Sequence, residues 1–422
     1  MSMPEFENLP VADEPESRPG GIPLYVWVIL AAAIAVPVGL YWKAEAKPLI
    51  ILPNLIIRAL TVLATPLVVL AILSAIVTND VRGRQGARMM FYYFVNTIVA
   101  IGIALGLANL IRPGVGVKIP IDPNAVAPPA KGLVKILDEL IPVSVGDAFV
   151  KNNLAQLVII TIALGIGLAK LRNEQVARGE TSHRAVVDLV TVGFELLMRV
   201  LLWVVALVPL AVFGVVAANV GEKGLGVFKL LGPFILVVLG GLACQITWYL
   251  TQLAFFARMS PWRFLRGARE VMSASFSTAS TGATMPITLK ALTGPLGVSR
   301  SSSQLAACVG TNFNNDGTAL YQAVVVLFVA QYLGRTLSIG DQLVVVFTTV
   351  LASIGAGCIP SGGFVTLPLI FAAVGLPPEQ LPFLLSVDWF LDRCRTSSNV
   401  LGDMTVAVLL DRTADPAPAP SG

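Results

Sequence analysis

Eight long apolar runs decide what this chain can fold into. They are Pro23–Trp42, Lys47–Val77, Met89–Ile111, Leu154–Leu171, Val186–Val220, Val227–Phe256, Leu305–Leu333 and Leu343–Val374. A helix needs about 20 mainly apolar residues to cross a bilayer, and several of these runs are long enough to cross with tilt. Soluble domains carry charge on about a quarter of their residues; here the figure is 13%, with 55% hydrophobic residues and a mean hydropathy of +0.79. The expected fold is therefore an all-α polytopic membrane protein. Residues 1–22 hold Glu5, Glu7, Asp13, Glu14 and Glu16 among prolines, with no basic start before an apolar core. They are expected to be a disordered cytoplasmic tail rather than a cleaved leader, and residues 412–422 a second disordered tail. The four cysteines, Cys244, Cys308, Cys358 and Cys394, lie in or beside apolar segments without metal-like spacing, and are read as small buried apolar groups. The single histidine, His183, sits in a charged loop, which excludes a histidine proton relay across the membrane. A net charge of +4 spread over loops gives no case for nucleic acid.

Basic residues set the orientation. Arg82, Arg84 and Arg88 form one cluster, Lys170, Arg172, Arg178 and Arg184 a second, and Arg258, Arg263, Arg266 and Arg269 a third. Positive loops stay inside, so all three are expected in the cytoplasm, with both termini inside and six spans complete by residue 257. The Pro-rich stretch 112–131 falls outside. After residue 265 the pattern changes. "SASFSTASTGATMPITLKALTG" (273–294) and "LASIGAGCIPSGGFVTLPL" (351–369) are interrupted by Ser, Thr, Gly and Pro. Irregular backbone at membrane depth is tolerated only where protein buries it or it lines a cavity, and a pair of such segments points to re-entrant hairpins around a substrate site. The plainer alternative is two ordinary spans with small residues at helix contacts.

The densest polar stretch is "DWFLDRCRTSSNVLGD", Asp388 to Asp403, with five charged residues in sixteen positions. On a helix, Asp388, Asp392, Arg395, Thr396, Asn399 and Asp403 share an arc of about 100°, opposite Phe390, Leu391 and Val400. A lone ionised group at mid-bilayer costs about 2.5–3.5 kcal/mol even on a lenient scale, so the stripe must face protein or water. An Asp–Arg pair that merely locks two helices would explain one Asp, not three. A second patch, "GTNFNNDGTALYQ" (310–322), interrupts an apolar run and offers the carboxylate, carbonyl and amide oxygens that hard cations take. In a third, "YYFVNT" (92–97), Tyr93, Asn96 and Thr97 share one helical face. Asp316, Asp388, Asp392 and Asp403 against Arg395 leave a net charge of −3. Arg395 is a fork suited to a carboxylate, and Asp392, one turn away, suits an ammonium. With the guanidinium taken for a side-chain carboxylate, the two describe an acidic amino acid, whose own net −1 deepens the deficit to −4. Unpaired charge of that size costs several kcal/mol per ion, so either the carboxylates bind protons or cations accompany the substrate, and the added substrate charge requires uptake of cations with the cargo.

These motifs, with "VDWFLDRCRTSSNVLGD", "NNDGTALYQ" and "LASIGAGCIPSGG" foremost, resemble the glutamate transporter family, the dicarboxylate/amino acid:cation symporters. The similarity runs through residues 23–411 in segment order, and the last-helix motif is close to that of the animal excitatory amino acid transporters. The resemblance implies eight transmembrane helices plus two re-entrant helical hairpins, an elevator mechanism, a homotrimer and multi-pass residence in the plasma (inner) membrane. Residues 23–257 would supply six spans, forming the scaffold plus helices 3 and 6 of the transport domain. Residues 258–411 would form the substrate and ion core. The resemblance also implies three sodium ions travelling with the substrate. Carried over, Asp392 would hold the substrate amine and Arg395 its side-chain carboxylate. Thr396 and Asn399 would hold the α-carboxylate and amine, Thr318 would assist, and Ala279, Thr281, Ile359 and Gly363 would add backbone groups from the hairpin tips. One cation site would use the carbonyls of Gly310, Asn314 and Asn399 with the Asp403 carboxylate. Another would use Tyr93, Asn96, Thr97, Asn314 and Asp316, and a third the backbone of Asn312, Ser353, Ile354 and Ala356.

Departures from the family pattern sharpen the expectation. Asn315 replaces a methionine between substrate and cations, Asn96 stands where Thr or Ser is usual, and Asn312 replaces Thr. Three added amide oxygens raise the alternative of Ca²⁺ coupling, since calcium takes 6–8 oxygens. Gln322 replaces the glutamate linked to proton coupling in animal members, and the first hairpin tip keeps only Ser280 and Thr281 of a serine-rich family motif. Asp392 and Arg395 separate the chain from C4-dicarboxylate and neutral amino acid relatives respectively. A cation channel leaves Arg395 without a purpose, and an enzyme lacks a nucleophile–base pair in the apolar half.

Overall fold

The computed structural model describes residues 24–78, 83–116, 138, 141–151, 154–224, 226–355, 362–378, 381 and 384–413. All regular structure among them is helical. α1 (Leu24–Trp42) leads through a 3₁₀ segment (Lys43–Ile50) into α2 (Ile51–Thr78), followed by α3 (Gly83–Ile111) and the short α4 (Val145–Val150). α5 (Leu154–Ala177), α6 (His183–Val205), α7 (Val208–Lys223) and α8 (Gly226–Phe255) complete the first part. Then come α9 (Pro261–Thr278), α10 (Thr281–Thr293), α11 (Arg300–Phe313), α12 (Asp316–Tyr332), α13 (Ile339–Gly355), α14 (Gly362–Val374) and α15 (Leu385–Thr413).

Three sequence expectations change. The run Val186–Val220 is not one helix: it breaks at Ala206–Leu207, and α7 restarts with Pro209 in its first turn, where a missing N–H costs nothing. His183 opens α6 and is buried rather than lying in a loop. Cys244 is exposed on α8, and Cys308 and Cys394 are half-buried; Cys358 lies outside the described residues. Hydropathy cannot separate an apolar lipid-facing position from an interior one, because both surroundings are apolar.

The layering inverts that of a soluble protein. α1 exposes Trp27, Ile29, Leu30 and Ile34, and α6 exposes Leu189, Val192 and Leu196. The polar helices sit inside. Every residue of α12 except Gln331 is buried, as is every residue of α15 from Ser398 to Leu410. α3, α8, α11 and α14 pack around α12, or around α15, or both, while α1, α2, α5, α6 and α7 pack chiefly among themselves.

Two helical pairs fold back on themselves, α9 on α10 and α13 on α14. α10 and α14 have 13 residues each, about 20 Å of helix, well short of the ~30 Å hydrocarbon thickness. The first pair turns at Ala279–Ser280. Ala279 caps α9 in the left-handed region, with φ 53°, and the Ser280 side chain accepts from Ala283 N at 3.2 Å to start α10. The turn of the second pair, with Ala356 and Ile359, lies outside the described residues.

On the outer layer, α7 runs against α1 and the 3₁₀ segment at backbone distance. A Cβ at Gly221 would lie 2.2 Å from Lys43 O, and one at Gly39 would lie 2.6 Å from Ala217 O. Gly221→Ala therefore forces the two elements apart. It is expected to cost about 1–3 kcal/mol, the usual penalty of overpacking, read as a lower thermal midpoint in detergent. Gly102→Ala on α3, where a Cβ would meet nothing within 4 Å, leaves the midpoint level or raises it.

Candidate functional site

The site begins where one helix ends and the next starts. α11 stops at Phe313, Asn314 is extended (φ −100°, ψ 92°), and α12 begins with Asp316. An acid in the first turn of a helix meets the positive end of its dipole. Asp316 is fully buried and is held by donors from two other helices. Thr97 Oγ1 on α3 donates to Oδ1 at 2.7 Å, while Tyr249 O–H and Gln245 Nε2 on α8 donate to Oδ2 at 2.8 and 3.4 Å. Asn96, beside Thr97, turns its amide oxygen to α8 instead, accepting from Trp248 Nε1 at 3.0 Å and Gln252 Nε2 at 2.5 Å.

Asp403 forms the second centre. Its Oδ1 accepts from Asn314 Nδ2 at 2.8 Å, and the same amide lies 3.1 Å from the Asn399 carbonyl. The carboxylate presses on Gly310: a Cβ there would lie 2.1 Å from Asp403 Oδ1 and 2.6 Å from the Tyr93 hydroxyl. That hydroxyl donates to Ala306 O at 2.8 Å. Asn314 Oδ1 is buried with no donor. Among the described residues, no basic side chain forms an ion pair with Asp316 or Asp403.

Arg395 forms the third. Its side chain is 1% exposed, with Nη2 2.7 Å from Asp392 Oδ1 and Nη1 3.0 Å from Asp388 Oδ1. Its Cζ stacks 3.8 Å from the centroid of the Tyr321 ring on α12. Nε has no hydrogen-bond acceptor, and Nη1 has the Asp388 ion pair without a hydrogen bond. Both acids sit on the same helix as the arginine, so the group does not lock two helices together. Asp392 is the most accessible of the three, at 16% against 5% for Asp388. Arg393, left out of the sequence-based charge count, reaches away to the carbonyls of Phe276 at 2.7 Å and Ser277 at the end of α9.

The remaining predicted residues gather around these centres. Asn399 donates to Thr318 Oγ1 at 3.2 Å and to Asn315 Oδ1 at 3.3 Å, and its oxygen accepts from Gly317 N at 2.8 Å. Gly363, in the first turn of α14, backs onto Arg395: a Cβ there would lie 3.0 Å from Thr318 Cγ2 and 3.3 Å from Arg395 Nη1. Gln322 anchors that turn through Gly363 O at 3.1 Å and Thr366 Oγ1 at 2.5 Å. Thr396 is buried one residue beyond Arg395, and Thr281 is buried at the start of α10. The end of α9 leans on the same stretch of α15, with Ser275 Oγ 3.1 Å from Ser397 Oγ. Asn312, Ser353 and Ile354 lie in the last turns of α11 and α13.

Sequence reasoning missed the α8 contribution. Gln245, Trp248, Tyr249 and Gln252 follow i, i+3, i+4, i+7 spacing and so form one face. All four donate into the site, and that spacing inside an apolar helix was the available signal.

The comparisons agree with this arrangement in extent. The profile of the "sodium:dicarboxylate symporter family" matches residues 24–413. A C4-dicarboxylate transport protein from Anaeromyxobacter sp. (strain K) is 30% identical over 401 residues, covering 92% of this chain and 89% of its own. An excitatory amino acid transporter from Caenorhabditis elegans is 30% identical over 408 residues, covering 83% and 78%. Excitatory amino acid transporter 3 from Oryctolagus cuniculus is 27% identical over 445 residues, covering 89% and 83%. Overall identity thus does not separate the two kinds of substrate, but with the match spanning every helix from α1 to α15, the chain belongs to the sodium:dicarboxylate symporter family.

Proposed function

We propose that the protein is a secondary active symporter of acidic amino acids, L-aspartate or L-glutamate, driven by sodium through an elevator movement within a homotrimer. The observation that carries the substrate reading is the Arg395 group. A guanidinium whose Nε lacks an acceptor and whose Nη1 has only the Asp388 ion pair has donors left for a carboxylate, and charge-assisted bonds to it are strong. Beside it stands Asp392, the more accessible carboxylate, with the sign and reach for an ammonium. A C4-dicarboxylate, the substrate named for the Anaeromyxobacter relative, is the second reading. It has nothing to offer Asp392, and its extra negative charge would face both acids.

The cation reading rests on Asp316 and Asp403, two buried carboxylates without a basic partner among the described residues. Burying such charge uncompensated costs several kcal/mol per ion, and the deficit grows when an acidic substrate enters. Sodium is the ion in the family's own description. The calcium alternative finds no support: Asn96 Oδ1 is turned to Trp248 and Gln252, and Asn315 Oδ1 to Asn399. The inner grouping of α3 and α8 with α9–α15 against the outer grouping of α1, α2 and α5–α7 supports a moving body and a frame.

In proteoliposomes an inward sodium gradient should drive accumulation of L-aspartate, with chelator present and calcium absent. Succinate and L-serine should compete about tenfold to a hundredfold more weakly, the worth of one lost charged hydrogen bond. Equal competition by succinate would sink the amine assignment. Arg395→Cys is expected to reverse the order in favour of serine. Arg395→Met should also lower stability by about 3–5 kcal/mol, because it strands the buried Asp388 and leaves the half-buried Asp392 without its partner. Adding Asp388→Asn should return part of that loss in the same thermal melt.

A further inference from the structure

Two helix ends meet beneath the second helical pair. Asn312 is in the last turn of α11 and Ser353 in the last turn of α13, where carbonyls have no partner further along their own helix and the dipole is negative. The Asn312 and Ser353 carbonyls converge on a single atom, Nδ2 of Asn315, at 3.5 and 3.1 Å. The other end of that amide accepts from Asn399 Nδ2 at 3.3 Å, and Asn315 is 4% exposed. Only this orientation pairs donors with acceptors. Turned over, the amide would set three oxygens together on one side and two N–H₂ groups on the other. The same two carbonyls are ones that the family resemblance gives to a third cation. A cation there would meet an N–H₂ group pointing at it, and turning the amide over to admit the ion would set the Asn315 and Asn399 N–H₂ groups against each other, so the residues present do not fit that ion.

We propose that the Asn315 side chain replaces the third cation. Its N–H₂ group holds the α11 and α13 ends together without an ion, and the protein couples its substrate to fewer than three sodium ions. Asp316 and Asp403 keep their role, since no described basic residue pairs with either. The stoichiometric half of this inference rests on the sodium-symport reading above. The structural half does not.

Hydrogen exchange on the whole protein in nanodiscs, without substrate, tests the structural half. In wild type, the last turn of α13, which contributes nothing to the Asp316 and Asp403 centres, should be as protected in choline chloride as in sodium chloride. In Asn315→Met, which keeps the bulk and removes the donor, exchange there should rise about tenfold in choline and fall again when sodium is added. The slope of log Kd for L-aspartate against log sodium concentration should then be steeper by about one in Asn315→Met than in wild type, as linkage requires for one more bound ion. Wild-type protection that appears only with sodium overturns the proposal, and needs no variant to be seen. A slope unchanged by the substitution overturns it too. Failure of wild type to bind L-aspartate would instead strike the proposed substrate, leaving the exchange comparison standing.

Discussion

A carboxylate cannot face hydrocarbon, and the fold is organised around that prohibition. Asp316, Asp388 and Asp403 are buried, each on or beside a helix that is itself sheathed by others. An intramembrane acid needs donors, and the donors must come from elsewhere in the chain, since a helix uses its own backbone N–H groups internally. Thr97 from α3 and Tyr249 from α8 therefore close on Asp316, and Asn314 from the α11–α12 break closes on Asp403. Satisfying the acids thus fixes which helices touch. The apolar helices take what is left, the outside.

Glycines set how closely this can be done. Gly310 leaves room for the Asp403 carboxylate against the α11 backbone, and Gly363 lets the start of α14 reach Thr318 and the Arg395 guanidinium. Any Cβ at these points would separate elements whose polar groups depend on contact. The unit is also incompletely satisfied. Nη1 and Nε of Arg395, Oδ1 of Asn314 and Oε1 of Gln245 are buried without hydrogen-bond partners. Native interiors rarely leave such groups idle, and here they cluster around the charges that a symporter's cargo would meet.

Charge within apolar sequence is a loud signal, and the parts of the site that carry it were legible. The stripe on α15 and the break at Asn314–Asn315 both announce themselves, because Asp and Asn in such runs have no bland explanation. Neutral polar positions are quieter. Gln245, Trp248, Tyr249 and Gln252 are compatible with an ordinary lipid-facing helix until their spacing is noticed, and the α6–α7 break depends on one proline inside an apolar run. Amide direction was not legible at all. Asn96 and Asn315 each add an oxygen on paper, but an amide also adds an N–H₂ group, and its surroundings decide which end is used.

The three centres are not independent. Asp403 is bonded to the Asn314 amide, which also reaches the Asn399 carbonyl. The Asn399 side chain then holds Gly317, Thr318 and Asn315, and Thr318 touches the ground that Gly363 shares with Arg395. Every link is a hydrogen bond of 2.8–3.3 Å, the first of them to a carboxylate, or a packing contact in a buried region where polarisation is poorly screened. A charge arriving beside Asp403 pulls on Asn314, and the first partner that Asn314 shares is the residue that orients the start of α12. That start also carries Asp316. Among the described residues, Asn399 therefore bonds toward both carboxylate centres and toward Thr318 beside the guanidinium, the kind of shared link that joint movement of an anion and a cation would use.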